Sequence, residues 1–350
     1  MSAETAMPLY ANLHQRLEAR REEARATGGQ GPRVLVAGPS DSGKSSLCRV
    51  LCAYACRLGR TPTFVDLDIG QGEVSLPGTL AATPVERSAL SVEDEAGCAK
   101  PSPLAFYFGH ASPGEYMDVL RNAQGRLADC VNRRLVADAG AGASGVVINT
   151  MGWVDGGGYD VLLEAVRAFR ADVVLVLGSD KLFARLSEDV KALRFAAMPA
   201  PADAGAQALT AVASSTAPAP GAPGQLTAVI AVVKLPRSGG VAERSREARQ
   251  AARKARVHEY FYGPLRGPGL PPALSPHSTT VGFDDVSIVR VGGVTSEAGL
   301  LPIGRASTLD PLRVTAVVPG PALLNHVLAV SFAGSEAAVP HTNVAGFVHV

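Results

Sequence analysis

The chain has 350 residues, enough for two domains around a sizeable core. Hydrophobic residues make up 47% of it but aromatics only 5%, so that core has to be built mainly from Ala, Val and Leu. A formal net charge of +1 excludes a uniformly basic coat for nucleic acid or membrane, and any anion-binding surface must be local.

Five cysteines with no paired framework point to a reducing compartment. Cys48, Cys52 and Cys56 recur every four residues on one helix face. No C-x-x-C or neighbouring His accompanies them, so they read as small core side chains rather than as metal ligands. No run of about 18 apolar residues is long enough for a transmembrane helix, and no apolar signal core stands near Met1. The expectation is a cytosolic or nuclear protein with no membrane partner.

In chain order, residues 7–10 are mildly apolar and 16–25 mix Arg with Glu. Leu9, Leu13 and Leu17 predict a solvated helix with one narrow apolar stripe, ended by Gly28, Gly29 and Gly31. Val34, Leu35, Val36 and Ala37 then form the short apolar run of a buried parallel strand. It enters Gly38-Pro39-Ser40-Asp41-Ser42-Gly43-Lys44-Ser45, a complete G-x-x-x-x-G-K-S phosphate loop. Leu47, Val50, Leu51 and Tyr54 follow at helical spacing, so the loop opens a helix. A helix N-terminus offers unpaired N–H groups and partial positive charge to a polyphosphate. Gly38 and Gly43 let the backbone amides turn inward, Lys44 would reach the β- and γ-phosphates, and the Ser45 hydroxyl would ligate magnesium.

A second strand-like run ends at Asp66-Leu67-Asp68 and leads into Ile69-Gly70-Gln71-Gly72. Asp68 lies 24 residues after Lys44, at a strand end where a phosphate-loop protein places its magnesium-side carboxylate. Further strands are expected at 104–108, 146–148 and 173–177, with helical patterns at 117–136 and 161–169. Gly156, Gly157 and Gly158 suggest a flexible bend before the second of these helices. Strands alternating with helices predict an α/β fold with a parallel sheet. Residues 198–226 are rich in Pro, Ala, Ser and Gly and read as a low-complexity loop.

After a strand at 226–235, the stretch 234–256 carries eight basic against two acidic side chains. Arg249, Arg253 and Arg256 share one helix face, and Arg244 enters from the preceding turn. In a nearly neutral chain with a phosphate loop, such a face reads as an anion-facing lid over 236–263. From Ser278 onward short β-runs recur without helices: Val281 to Val289, then 314–318, 327–332 and 344–350. The expected organisation is an N-terminal helix and linker (1–30), a phosphate-loop domain (31–265) and a small C-terminal β domain (266–350). The terminal strand is expected to lack a closing partner and to leave an exposed edge.

Taken together, several segments resemble one family, the eukaryotic RNA 5′-hydroxyl polynucleotide kinases that are also subunits of the pre-mRNA cleavage and polyadenylation machinery. The loop carries generic information. More specific is the ordered set Asp66-Leu67-Asp68-Ile69-Gly70-Gln71-Gly72, Asn149-Thr150-Met151-Gly152-Trp153 and Gly239-Gly240-Val241-Ala242-Glu243-Arg244-Ser245. Glu259-Tyr260-Phe261-Tyr262-Gly263 and Val344-Ala345-Gly346-Phe347 extend the likeness to the last residues.

The resemblance implies ATP and Mg2+ as cofactors. It places Gly38, Asp41, Ser42, Gly43, Lys44, Ser45 and Ser46 around the nucleotide, with Ser45 and Asp68 at the metal. Asp68 would orient an RNA 5′-hydroxyl and accept its proton. Arg244, Arg249 and Arg253 match the lid arginines that neutralise the transferring phosphoryl group. Trp153, for which a half-buried structural side chain is the lesser alternative, matches an aromatic that stacks on the terminal RNA base, and Gln71 would join it in RNA binding. The implied partners are RNA with a 5′-hydroxyl end and protein subunits of the cleavage complex, in the nucleus. An ATP-bound structural subunit of weak or no catalysis is the alternative function, and a phosphate-loop enzyme on an unrelated small substrate is a third. Two departures stand out. The family's β domain ahead of the loop, which helps enclose the base, is expected to be absent. The turn His110-Ala111-Ser112-Pro113 differs from the family's substrate clasp, which has a Thr-Pro start and a later Asn.

Overall fold

The structure is a computed structural model that describes residues 5–86, 103–114, 116–193, 230–264, 271–292 and 310–350. The low-complexity stretch 198–226 lies outside the described residues. The chain divides into two units, each built from discontinuous segments. The first comprises Met1–Leu67, Ala82–Cys98 and Ala128–Arg244, and the second Asp68–Ala81, Ala99–Leu127 and Ser245–Val350.

The first unit is a parallel α/β layer. Its strands are β1 (Arg33–Ala37), β2 (Thr63–Asp66), β5 (Val146–Asn149), β6 (Val173–Leu177) and β7 (Ala231–Leu235), in the order β2-β5-β1-β6-β7. All four neighbouring pairs are parallel. Val34, Leu35, Val36 and Ala37 are fully buried, as are most side chains of β5 and β6. This is the continuous apolar pattern of strands covered on both faces. Helix α2 (Lys44–Arg57) buries Leu47, Leu51, Cys48 and Cys52, so the first two cysteines of the four-residue repeat are core side chains. Cys56 is half-buried and its thiol donates to the Val85 carbonyl at 3.1 Å. Among the described residues no group of three or more His, Cys, Asp or Glu could hold a metal ion.

Helix α1 (Met7–Thr27) corrects one expectation. Leu9 is exposed, and the buried face is Tyr10, Leu17, Glu18, Arg21 and Ala24. Charges enter this face because they find distant partners. Arg21 is buried and its Nε donates to the Ser144 carbonyl at 3.0 Å. Glu18 accepts from Arg60 Nε at 2.5 Å, and Arg20 makes two hydrogen bonds to Asp172 at 3.1 and 2.7 Å. The Arg/Glu run is therefore a polar seam and not only a solvated face.

Asp172 also receives the backbone N–H of Arg33 at 3.0 Å. Burial pulls the Arg33 guanidinium down to about 10 from its ordinary value, while Asp172 works in the opposite direction. Asp172→Asn would break the Arg20 ion pair and remove the charge that favours the buried Arg33 guanidinium. Breaking a fully buried pair costs roughly 3–5 kcal/mol; Asp172 keeps some solvent contact, so a loss of about 2 kcal/mol is expected. It should appear in urea melts as a lower midpoint with an unchanged slope. An unchanged midpoint would contradict the role given to Asp172.

Strand β3 (Thr79–Pro84) and helix α3 (Met117–Ala137) run from one unit into the other. The rest of the first unit is α4 (Ala139–Ser144), α5 (Gly157–Ala168) and α6 (Asp180–Asp189). The expected bend at Gly156 to Gly158 is instead the start of α5, since Gly157 and Gly158 are already helical. The reason is the Trp153 ring, which lies against Gly158.

The second unit holds β4 (Leu104–Tyr107), a pair of short strands β8 (Val289–Val291) and β9 (Val314–Ala316), β10 (Val327–Ser331) and β11 (Val344–His349). It also holds the helix α7 (Arg246–Tyr262). β11 lies antiparallel between β10 and β4, so the last strand is paired on both sides and is not the open edge expected from the sequence; among the described residues β8 pairs with β9 alone. Of the β-run expected from Val281, only Val289 is in a strand; Phe283–Asp285 is a 3-10 turn. Tyr260 on α7 packs edge-on against Phe347, and its hydroxyl accepts the Phe347 N–H at 3.1 Å.

Candidate functional site

Gly38 to Gly43 joins β1 to α2 in the first unit. Gly38 has φ +156, Asp41 +52 and Gly43 +93. A Cβ on Gly38 would stand 2.6 Å from the Leu177 carbonyl oxygen and 2.8 Å from Ser42 Oγ, so a side chain is excluded there by contact as well as by φ. Gly43 is the N-cap of α2 and supplies no side-chain cap, which leaves the first-turn N–H groups for a ligand. Lys44 is buried and its ammonium donates to the carbonyls of Gly38 and Pro39 at 3.0 and 2.9 Å.

Two buried polar atoms have no hydrogen-bond partner among the described residues here: Ser42 Oγ on the loop and Asn149 Oδ1 at the end of β5. Buried polar groups are normally satisfied, so these mark a place built for polar occupants. An orphaned hydroxyl, an uncapped helix start and an ammonium fit a polyphosphate.

The ends of β1, β5 and β2 form the floor below the loop. Asp66 and Asn149 are register partners, and Asn149 Nδ2 donates to Asp66 Oδ1 at 3.0 Å. Thr150 Oγ1 donates to the Val36 carbonyl at 2.8 Å. Asp66 and Asn149 were not among the sequence-predicted residues. The signal for Asp66 was the doubled acid Asp66-Leu67-Asp68, and for Asn149 its place in the Asn-Thr-x-Gly-Trp segment. Ser45, half-buried on the first turn of α2, and the Asp66 carboxylate are hard oxygen donors of the kind Mg2+ takes, usually alongside substrate phosphates.

Gly152 brings the end of β5 against the loop. A Cβ there would lie 2.4 Å from Ser40 Oγ and 2.7 Å from the Ser40 N and Cα. Gly152→Ala should displace the loop and weaken ATP binding more than tenfold in a fluorescence titration, with little change in melting temperature. Unchanged ATP affinity would contradict the packing argument.

Trp153 is 41% exposed. Its indole lies on the first turn of α5, since a Cβ on Gly158 would come within 2.5 Å of Trp153 Cγ and Cδ2. This is why glycine occupies a helical position there. One face of the ring is held by the backbone and the side chain still reaches solvent, as a stacking platform requires.

Arg244 is tied to the loop. Its backbone N–H donates to Asp41 Oδ2 at 3.0 Å and its Nε to Asp41 Oδ1 at 3.2 Å. The first unit therefore brings together Gly38, Asp41, Ser42, Gly43, Lys44, Ser45, Ser46 and Arg244, with Trp153 on the segment that follows Gly152.

The other predicted residues lie in the second unit. Asp68 is half-buried in a turn, where Oδ1 accepts the Gly70 N–H at 3.0 Å and its carbonyl accepts those of Gln71 and Gly72 at 3.3 Å. Arg249 and Arg253 lie one turn apart on α7 and are half-buried. Ser245 caps that helix by accepting the Ala248 N–H at 3.2 Å. In the turn after β4, His110 stacks on Tyr116 with centroids 4.2 Å apart, and burial followed by the Arg290 charge pulls its imidazole below the ordinary value.

Comparison with known proteins adds the following. Residues 38–215 and 222–263 match the family described as mRNA cleavage and polyadenylation factor CLP1 P-loop, and residues 274–350 match Pre-mRNA cleavage complex II protein Clp1. The chain is 39% identical over 351 residues to the human polyribonucleotide 5′-hydroxyl-kinase Clp1, covering 100% of this chain and 72% of that protein. It is also 39% identical to the protein CLP1 homolog of Arabidopsis thaliana, covering 99% and 70%. Among solved structures, Clp1p in a complex with Pcf11p aligns with a TM-score of 0.73 at 22% identity, over 99% of this chain and 72% of the other. A second structure, with TM-score 0.72 at 22% identity, concerns the interface between Pcf11p and Clp1p and the loss of ATP in a point mutant. It covers 97% of this chain and 72% of its own.

Proposed function

The chain belongs to the Clp1 family of pre-mRNA cleavage-complex proteins, and on that premise we propose that it is an ATP-dependent polynucleotide 5′-hydroxyl kinase acting in mRNA 3′-end processing. The observation that carries this reading is the phosphate loop, with buried Lys44 beside the orphaned Ser42 hydroxyl. The α/β fold and the family's use of ATP are the ground it stands on.

In this reading, the amides of 42–46 and the Lys44 ammonium bind the β- and γ-phosphates of ATP. Ser45 and Asp68 would hold Mg2+. The chemistry such an ion would supply is neutralisation of developing phosphate charge. Asp68 orients the RNA 5′-hydroxyl and takes its proton as the bond from its oxygen to the γ-phosphorus forms and the bond from that phosphorus to ADP breaks, releasing ADP. Arg244, Arg249 and Arg253 offset charge on the transferred phosphoryl group. Trp153 stacks on the terminal base and Gln71 contacts the same strand. Trp153→Ala should weaken RNA binding by about 1–3 kcal/mol, roughly five- to 150-fold, without changing ATP affinity. RNA binding that is unaffected would make Trp153 a structural side chain.

A second reading rests on the solved relatives, which are described with Pcf11p. This chain would then be a structural subunit of the cleavage complex in the nucleus, with ATP stabilising the folded state by binding to it. The two readings separate in one experiment. The purified protein is incubated with ATP, Mg2+ and a 5′-hydroxyl RNA oligonucleotide, and the product is analysed by mass spectrometry. A 5′-phosphorylated product supports the kinase. Bound ATP with no product leaves the structural subunit.

A further inference from the structure

An acidic residue on a phosphate loop needs a physical reason, because its carboxylate repels the polyphosphate that the loop is built to hold. Asp41 is such a residue. Its side chain is only 5% exposed, so the charge is little screened by water. Its backbone sits at φ +52, a conformation that Asp tolerates better than most residues.

Both carboxylate oxygens are turned to one residue. Oδ2 accepts the backbone N–H of Arg244 at 3.0 Å and Oδ1 its Nε–H at 3.2 Å. A carboxylate that holds a main-chain amide and a guanidinium of the same residue fixes both the path of the chain and the direction of the side chain. The segment leading to Arg244 is packed against the same loop. Val241 Cγ2 would stand 3.1 Å from a Cβ on Gly43, so it fills the space that this glycine leaves. Arg237 braces the turn through the Val241 carbonyl at 3.3 Å and Glu243 at 3.6 Å.

We propose that Asp41 is a positioning residue that sets Arg244 for phosphoryl transfer and neutralises its own charge in doing so. The proposal rests on the kinase reading above. It assigns Asp41 no contact with the nucleotide: Asp41 acts through Arg244, whose guanidinium has further donors beyond the one facing Asp41.

The test has a kinetic arm and a structural arm. Asp41→Asn keeps the shape and the backbone preference but loses the charge. It should lower kcat by on the order of tenfold, the scale of a lost charged hydrogen bond, without raising the KM for ATP. In an Arg244→Ala background the same change should have less than about a twofold further effect, because residues acting as one unit are non-additive. A full additional tenfold loss, or a rise in the KM for ATP, would overturn the proposal. In the structural arm, Asp41→Gly takes up φ +52 without strain and removes both acceptors, and amide hydrogen exchange at Arg244 should accelerate at least tenfold. Unchanged exchange would overturn the proposal even if wild-type protein transferred no phosphate. Absence of transfer in wild type would sink the kinase reading alone.

Discussion

Lys44→Ala is expected to lower phosphoryl transfer by about 10²–10³ and to weaken ATP binding with it. The side chain is buried and its ammonium rests on the carbonyls of Gly38 and Pro39, two residues of the loop it serves. Those carbonyls hold the ammonium at the loop, and an incoming phosphate can take over hydrogen bonds now made to neutral oxygens. Alanine is a good helix former at this first position of α2, so the helix should persist. Far-UV circular dichroism and a melting curve would check that. Retained transfer in a folded Lys44→Ala protein would show that the phosphates bind elsewhere.

The second large effect is expected at Arg249. Removing a guanidinium that faces the transferring group costs ~10³–10⁵ in rate in related phosphoryl transfers. Arg249→Ala should therefore lower kcat by about 10³ or more while the KM for ATP changes little, because the charge is needed mainly in the transition state. Stability should hardly move, since α7 buries no residue and owes its start to the Ser245 cap. Steady-state kinetics with ATP varied at saturating RNA would resolve the two constants. An equal loss in kcat and ATP affinity would make α7 a docking surface only.

The loop and its flanking strand and helix were legible in the sequence because their chemistry leaves few alternatives. An apolar run, two glycines at fixed spacing, Lys-Ser and a following helix can be joined in one way, and β1, the loop and α2 follow that order. The buried face of α1 was not legible. Its choice of Glu18 and Arg21 over Leu9 depends on Ser144 and Arg60, far along the chain. The helical glycines at 157 and 158 misled for a similar reason, since the cause is the Trp153 ring lying against the backbone of α5. Asn149 stood in a recognisable Asn-Thr-x-Gly-Trp segment, but its partner was not legible, because that comes from register pairing with Asp66. The pairing of Asp41 with Arg244 joins residues 203 apart in sequence, and only folding brings them together.

The measurement that bears most directly on this account is a single-turnover reaction with excess protein, Mg2+ and ATP labelled at the γ-phosphate. The acceptor is an RNA oligonucleotide with a 5′-hydroxyl end, run beside the same oligonucleotide already 5′-phosphorylated. The account predicts label on the first RNA, none on the second, and none from Lys44→Ala or Asp68→Asn protein. Label that stays on ATP while the wild-type protein binds both ligands would contradict it.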